Sequence, residues 1–210
     1  MEGILLGIVV GLQLKFDWFG DKRRRITKTL FLPLLLIFYL LRANTWVPTL
    51  LGALFFGWIG DLFMMVPRGR KLRMIGPVAF AIGHLFYLAS FIQFGSLRNI
   101  PASGFLVLAI YPLWIGIGYR LMGRQLRDKG APFYLALVYA AMIGAMSLYS
   151  YSMVYTQQTI LPFIGALIFI VSDTMVLYRD YGNAFARNKF WVIATYMVAQ
   201  ILIVMGFVGV

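Results

Sequence analysis

Apolar residues in this chain rarely alternate with polar ones; they run on in stretches close to the ~20 residues that cross a bilayer core. The runs predict helices near 2–14, 26–43, 46–66, 74–95, 101–119, 132–150, 160–178 and 189–208. Lys15 and Asp17 cut the first one short. Pro48, Pro77, Pro101, Pro132 and Pro162 fall in first turns, where a missing N–H does little harm. Pro33 and Pro112 lie deeper and are expected to kink their helices. With short loops, the expected architecture is all-α: one polytopic domain over 1–210 with eight transmembrane helices.

Composition agrees, at 61% hydrophobic and only 12% charged residues. A net charge of +12 would suit nucleic acid, but its distribution points elsewhere. All of the 19 basic residues except Arg42 and Arg98 follow the odd-numbered helices, from Lys15 and the Arg23–Arg25 run through Arg68, Arg120 and Arg179 to Lys189. This alternation is the positive-inside pattern and predicts both termini outside. The cations then face anionic headgroups, and membrane lipids rather than nucleic acid are the expected partners. Glu2 before the first apolar run and basic residues after it reverse the charge order of a cleaved signal peptide, so a retained first helix is expected.

Against this background Asp61, His84 and Asp173 stand out. A carboxylate at mid-membrane costs roughly 2.5–3.5 kcal/mol, so such groups face a bundle interior or a water-filled cavity. Asp61 and Asp173 each follow a small residue near the cytoplasmic end of the third and seventh helices. Each precedes a polar residue by 23 positions, His84 and Tyr196, which suggests two four-helix halves in parallel orientation. Tyr196 and Gln200 share a face of the last helix, and Lys28 opens the second helix from the same side of the membrane. One depth band in the cytoplasmic half thus holds nearly all the unusual polar groups.

Structural roles compete for each of them. The carboxylates could pair with Arg68 or Arg179, and His84 could bond a neighbouring carbonyl or Tyr87. Tyr196 and Gln200 could be helix–helix glue. Ser172 could be a nucleophile or could bond its own i−4 carbonyl. Tyr139, Ile143, Met146 and Ser150 form a stripe suited to packing.

One histidine and no cysteine exclude the usual zinc sites. No nucleophile elbow, Walker or dinucleotide fingerprint occurs, and no metal or other cofactor is called for. Two carboxylates and an imidazole remain, a general acid–base set.

Ile26-Thr27-Lys28-Thr29-Leu30, Gly60-Asp61, Gly83-His84-Leu85-Phe86-Tyr87, Tyr139 with Met146, Gly165-Ala166-Leu167-Ile168-Phe169-Ile170-Val171-Ser172-Asp173 and Thr195-Tyr196 with Gln200 carry a resemblance over most of the chain. Together they resemble the lysoplasmalogenase-like (YhhN-type) integral membrane proteins; Thr29 departs from the proline expected after the lysine. The resemblance implies an eight-helix hydrolase of the vinyl ether bond of lysoplasmalogens, releasing a fatty aldehyde and a glycerophospho-choline or -ethanolamine. A bacterial inner-membrane protein is expected, and the depth of the polar groups places its site toward the cytoplasmic leaflet.

Vinyl ether hydrolysis begins with protonation of carbon and passes through an oxocarbenium-like cation, a species glycosidases manage with two carboxylates. Asp61 and Asp173 are the expected catalytic pair, one protonated and one ionised, with His84 orienting or relaying. Lys28, Tyr87, Tyr139, Ser172, Tyr196 and Gln200 are the expected substrate-binding residues, with Lys28 or the nearby arginines meeting the lysophospholipid phosphate. The alternatives are a proton-linked transporter or lipid carrier, a hydrolase of another ether or ester lipid, and a non-catalytic assembly protein.

Overall fold

The computed structural model describes residues 2–65, 75–128, 131–181 and 185–210. Eight α-helices account for most of them: α1 (Glu2–Phe19), α2 (Arg24–Arg42), α3 (Pro48–Met65), α4 (Ile75–Phe94), α5 (Ile110–Arg127), α6 (Ala131–Thr156), α7 (Leu161–Tyr181) and α8 (Asn188–Val208). No strand occurs among the described residues. Arg68, Arg70, Lys71, Arg73 and Lys129, read above as orientation signals, lie outside them, as does the Arg68 alternative for Asp61.

Three expected boundaries are corrected. The first helix runs on to Phe19 through Lys15 and Asp17, because α2 satisfies the polar groups that would otherwise end it. The Gln13 amide donates to Asp17 one turn on, the Thr27 hydroxyl donates to Gln13, and Arg24 pairs with Asp17 at 3.4 Å. Gly20 then closes the helix at φ 68°, a left-handed conformation that glycine adopts without a Cβ penalty. At the other end of the bundle α6 continues to Thr156, where Thr156 and Gln157 donate to the Phe94 carbonyl at the end of α4 (2.8 and 3.1 Å).

Pro112 does not kink a helix interior. It is the third residue of α5, and the chain before it, Ala102–Ala109, is a 3-10 helix. A proline ring conflicts with the carbonyl four residues back, here that of Leu108, so α-helical geometry does not extend further toward the N-terminus. Pro33 stands inside α2, which continues through it.

The helices pack mainly as α3 on α4 and α7 on α8, with α1 and α3 flanking α2. Further contacts join the halves: α8 packs on α1 and on α2, and α4 packs on α6. The main core is built from Phe31, Leu35, Leu54, Tyr87, Phe169 and Phe207 with their neighbours, all essentially inaccessible. Large apolar side chains such as Ile4, Leu106, Leu113, Tyr134 and Val138 face outward. Apolar exposure on this scale marks a surface that does not meet water.

Six helical segments are long and apolar enough to cross a membrane: α3, α4, α6, α7, α8 and the stretch from Ala102 to Gln125. The remaining two, α1 and α2, carry more charge. The protein is an all-α, polytopic integral membrane protein.

Candidate functional site

Asp61 lies on α3, four residues from its end, with its side chain 1% exposed. Lys28 of α2 brings its ammonium to 2.8 Å from Oδ1, and the Tyr196 hydroxyl of α8 donates to Oδ2 at 3.0 Å. Lys28 approaches off the hydrogen-bonding direction, so the contact is an ion pair rather than a directed bond.

Local sequence explains how α2 and α3 come into register here. Pro33 has no N–H, which leaves the Thr29 carbonyl, four residues back, without its helical partner. The Trp58 indole of α3 donates to that carbonyl at 3.0 Å. Trp58 precedes Asp61 by nearly one turn, and Thr29 adjoins Lys28. The clamp therefore places ammonium beside carboxylate.

Asp173, on α7, occupies a different setting, with its side chain 21% exposed. The Tyr139 hydroxyl of α6 donates to Oδ2 at 2.7 Å, and His84 Nε2 of α4 stands 3.6 Å from the same oxygen. The other imidazole nitrogen, Nδ1, lies 2.7 Å from the Phe80 carbonyl. A carbonyl only accepts, so Nδ1 carries a hydrogen and Nε2 is left facing the carboxyl. Nε2 is buried and makes no hydrogen bond, its separation from Asp173 being too long for one. The gap holds room for one proton, on nitrogen or on oxygen.

The two settings adjoin through aromatic rings. Phe169, one turn before Asp173, packs edge-on to His84 (centroids 4.6 Å apart) and to Tyr196 (5.6 Å). Beside them the Tyr87 hydroxyl donates to the Gln200 carbonyl oxygen, joining α4 to α8. Close backbone approach makes this possible. A Cβ on Gly165 would lie 2.8 Å from the Ala199 carbonyl of α8, and one on Gly83 would lie 3.2 Å from the Ala53 carbonyl of α3.

Asp61, Asp173, His84, Lys28, Tyr87, Tyr139, Tyr196 and Gln200 thus lie in or against this buried system, though several of the residues singled out have other partners than those considered. Arg179 pairs with Asp180 rather than Asp173. His84 takes the neighbouring-carbonyl option, while Tyr87 turns to Gln200. Ser172 donates not to its own helix but to the Val192 carbonyl of α8, at 3.1 Å. Lys28 meets a carboxylate instead of standing free for a phosphate. In the packing stripe on α6, Ile143, Met146 and Ser150 are fully buried. Sequence reading missed Trp58, Phe80 and Phe169; only the Pro33 gap in α2 signalled that some outside donor had to arrive. Among the described residues no three His, Asp or Glu side chains converge as a metal site would require.

Each carboxylate is bound by a residue from the other half of the chain. Asp61 of α3 meets Tyr196 of α8, and Asp173 of α7 meets His84 of α4. Chemically, one arm sets a carboxyl group against an ammonium and a phenol, the other a carboxyl group against an imidazole and a phenol.

Comparison with known proteins bears on what such a site does. The human protein Lysoplasmalogenase TMEM86A is 26% identical over 159 residues, covering 73% of this chain. The match spans 62% of the human protein's own length. No solved structure matches the chain. The YhhN family matches over residues 23–207, nearly the whole chain and every residue of the site. The chain belongs to the YhhN family.

Proposed function

We propose that this protein hydrolyses the vinyl ether bond of lysoplasmalogens, using Asp173 with His84 to deliver the proton and Asp61 as the fixed anion. The observation that carries this reading is the unlike surroundings of two buried carboxylates in adjoining parts of one polar centre. An acid and an anion at neutral pH require that difference.

The reaction starts when the Asp173–His84 pair gives a proton to the alkenyl carbon remote from oxygen. The double bond shifts and leaves an oxocarbenium-like cation. Asp61, held ionised by Lys28, lowers the energy of that cation and orients water for attack on it. The hemiacetal then collapses to aldehyde and alcohol. Water's two hydrogens become the new C–H and the alcohol O–H, and its oxygen becomes the carbonyl, so the protein ends each cycle unchanged. Tyr139 and Tyr196 hold the carboxylates in place; Tyr87, Gln200 and Ser172 shape the walls where the substrate lies.

The same reading takes α1 and α2 as spans, since Glu2 pairs with Arg42, Asp17 with Arg24 and Lys28 with Asp61, giving eight with both termini outside. A bacterial inner membrane belongs to the same proposal, and the charge pattern supports a site reached from the cytoplasmic leaflet. The crossed pairs, Asp61 with Tyr196 and Asp173 with His84, support two four-helix halves related as repeats.

The test is aldehyde release by purified, folded protein from a lyso-1-alkenyl phospholipid, compared with the 1-acyl analogue. The proposal requires aldehyde from the alkenyl lipid and its loss in Asp173→Asn. Turnover of the acyl lipid alone would replace ether by ester hydrolysis. Flux of unaltered lipid across proteoliposomes without aldehyde would replace catalysis by transport.

A further inference from the structure

A second polar feature lies one helical turn along α2 from Lys28, at the end of the bundle that carries most of the basic residues. Here the end of α1 and the starts of α2 and α8 form a cleft of about 460 Å³, lined among others by Asp17, Trp18, Arg24, Arg187, Lys189 and Phe190. Three cations face one carboxylate. That carboxylate is already engaged: Asp17 is 4% exposed, accepts from Gln13 and pairs with Arg24. Among the described residues Arg187 and Lys189 meet no carboxylate, and both are exposed.

The cleft is partly organised before anything enters it. The Arg187 guanidinium lies 3.5 Å from the centroid of the Trp18 ring, and Phe190 packs edge-on against Trp18 at 5.1 Å. Stacking fixes the plane of a guanidinium while leaving its in-plane N–H groups free, the arrangement that binds phosphate through two parallel hydrogen bonds. The first-turn N–H groups of α8 add partial positive charge on the same side. Trp18 is a side chain typical of a membrane–water interface.

We propose that this cleft binds a phosphate ester through Arg24, Arg187 and Lys189. A carboxylate would use one arginine fork; a phosphate has enough oxygens for two forks and an ammonium. Neither Asp61 nor Asp173 is among the residues that line the cleft. The site therefore stands whether or not the carboxylates cleave an ether. The phosphate comes from a phospholipid headgroup of the adjacent leaflet or from a soluble phosphate ester, and the two sources are separable by experiment.

The experiment measures binding of inorganic phosphate and glycerol 3-phosphate to the purified full chain by calorimetry. Retention of phosphatidylglycerol against phosphatidylcholine in nanodiscs is measured alongside by native mass spectrometry. The double variant Arg187→Gln/Lys189→Gln is expected to weaken binding about tenfold or more. As a control, Arg120→Gln/Arg124→Gln removes the same charge from another basic face at the end of α5, and is expected to stay within about twofold. Arg187→Lys keeps the charge but loses the fork, and is expected to weaken binding several-fold even if the double variant fails to fold. Binding of the soluble probes assigns the site to a free phosphate ester; binding of the lipid alone assigns it to a headgroup. Absence of binding by every probe, or equal loss in the α5 control, overturns the proposal.

Discussion

Asp61 and Asp173 are the same residue type at matching positions of the third and seventh helices, yet the fold treats them differently. Asp61 is closed in, with a lysine on one oxygen and a tyrosine on the other. Asp173 keeps a fifth of its side chain exposed and has no lysine; an imidazole stands just out of hydrogen-bonding reach and a tyrosine donates to it. The helices around them differ in parallel. α1 packs against both α2 and α8 near Asp61, whereas α5, touching α6 and α7, contributes nothing to the main core. A buried carboxylate beside a cation is a finished ion pair. One beside an imidazole and a phenol can still take up or release a proton. Burial alone therefore does not make a carboxyl group reactive; its partner decides.

Asp173→Asn separates the two carboxyl groups most sharply. It removes the proposed acid and keeps the shape, so kcat for aldehyde release is expected to fall about 10²–10⁴-fold. Its melting temperature is expected to stay near the parent's. Equal turnover would assign the proton to another group.

Asp61→Asn tests the other arm through stability. It leaves the Lys28 ammonium buried without a counter-charge, at a cost of about 3–5 kcal/mol. Adding Lys28→Met removes the orphaned charge, so the double variant is expected to recover most of the melting temperature but none of the activity. Recovery of both would make Asp61 purely structural.

Trp58→Phe sharpens the account of how Lys28 reaches Asp61. It leaves the Thr29 carbonyl with no donor, and the loss of about 1–3 kcal/mol is expected to show in thermal unfolding. Converting Pro33 to alanine in the same chain restores a backbone N–H for that carbonyl and is expected to recover part of the loss.

The smallest effect belongs to Tyr139→Phe, which removes one donor from a partly exposed carboxyl. About 1.5–3 kcal/mol of hydrogen bonding to Asp173 is at stake if the carboxyl is ionised, and about 0.5–1.5 if it is protonated. A double-mutant cycle with Asp173→Asn reads which value applies, and the smaller one is expected.

The comparison also marks how far the sequence could be read. Asp61, His84 and Asp173 declared themselves because charge is rare within apolar runs, and their shared depth followed from counting residues from helix ends. Position along a helix says nothing about the partner across it, so Lys28 was read as a phosphate ligand although it meets Asp61. The same limit applied to Ser172, whose acceptor is a carbonyl of α8. The first helix was drawn too short because Lys15 and Asp17 resemble an end unless Arg24 of α2, which pairs with Asp17, is in view.

The amino-acid order alone determined that this chain lives in a membrane, where its helices lie, and which side chains are too polar to face lipid. Those are consequences of local hydrophobicity, which each residue contributes wherever its neighbours are. Tertiary packing decided which carboxylate meets lysine and which meets histidine. Electrostatic pairing acts over a few ångströms in space, and only the crossing of α4 and α8 into the opposite half brings those groups within range.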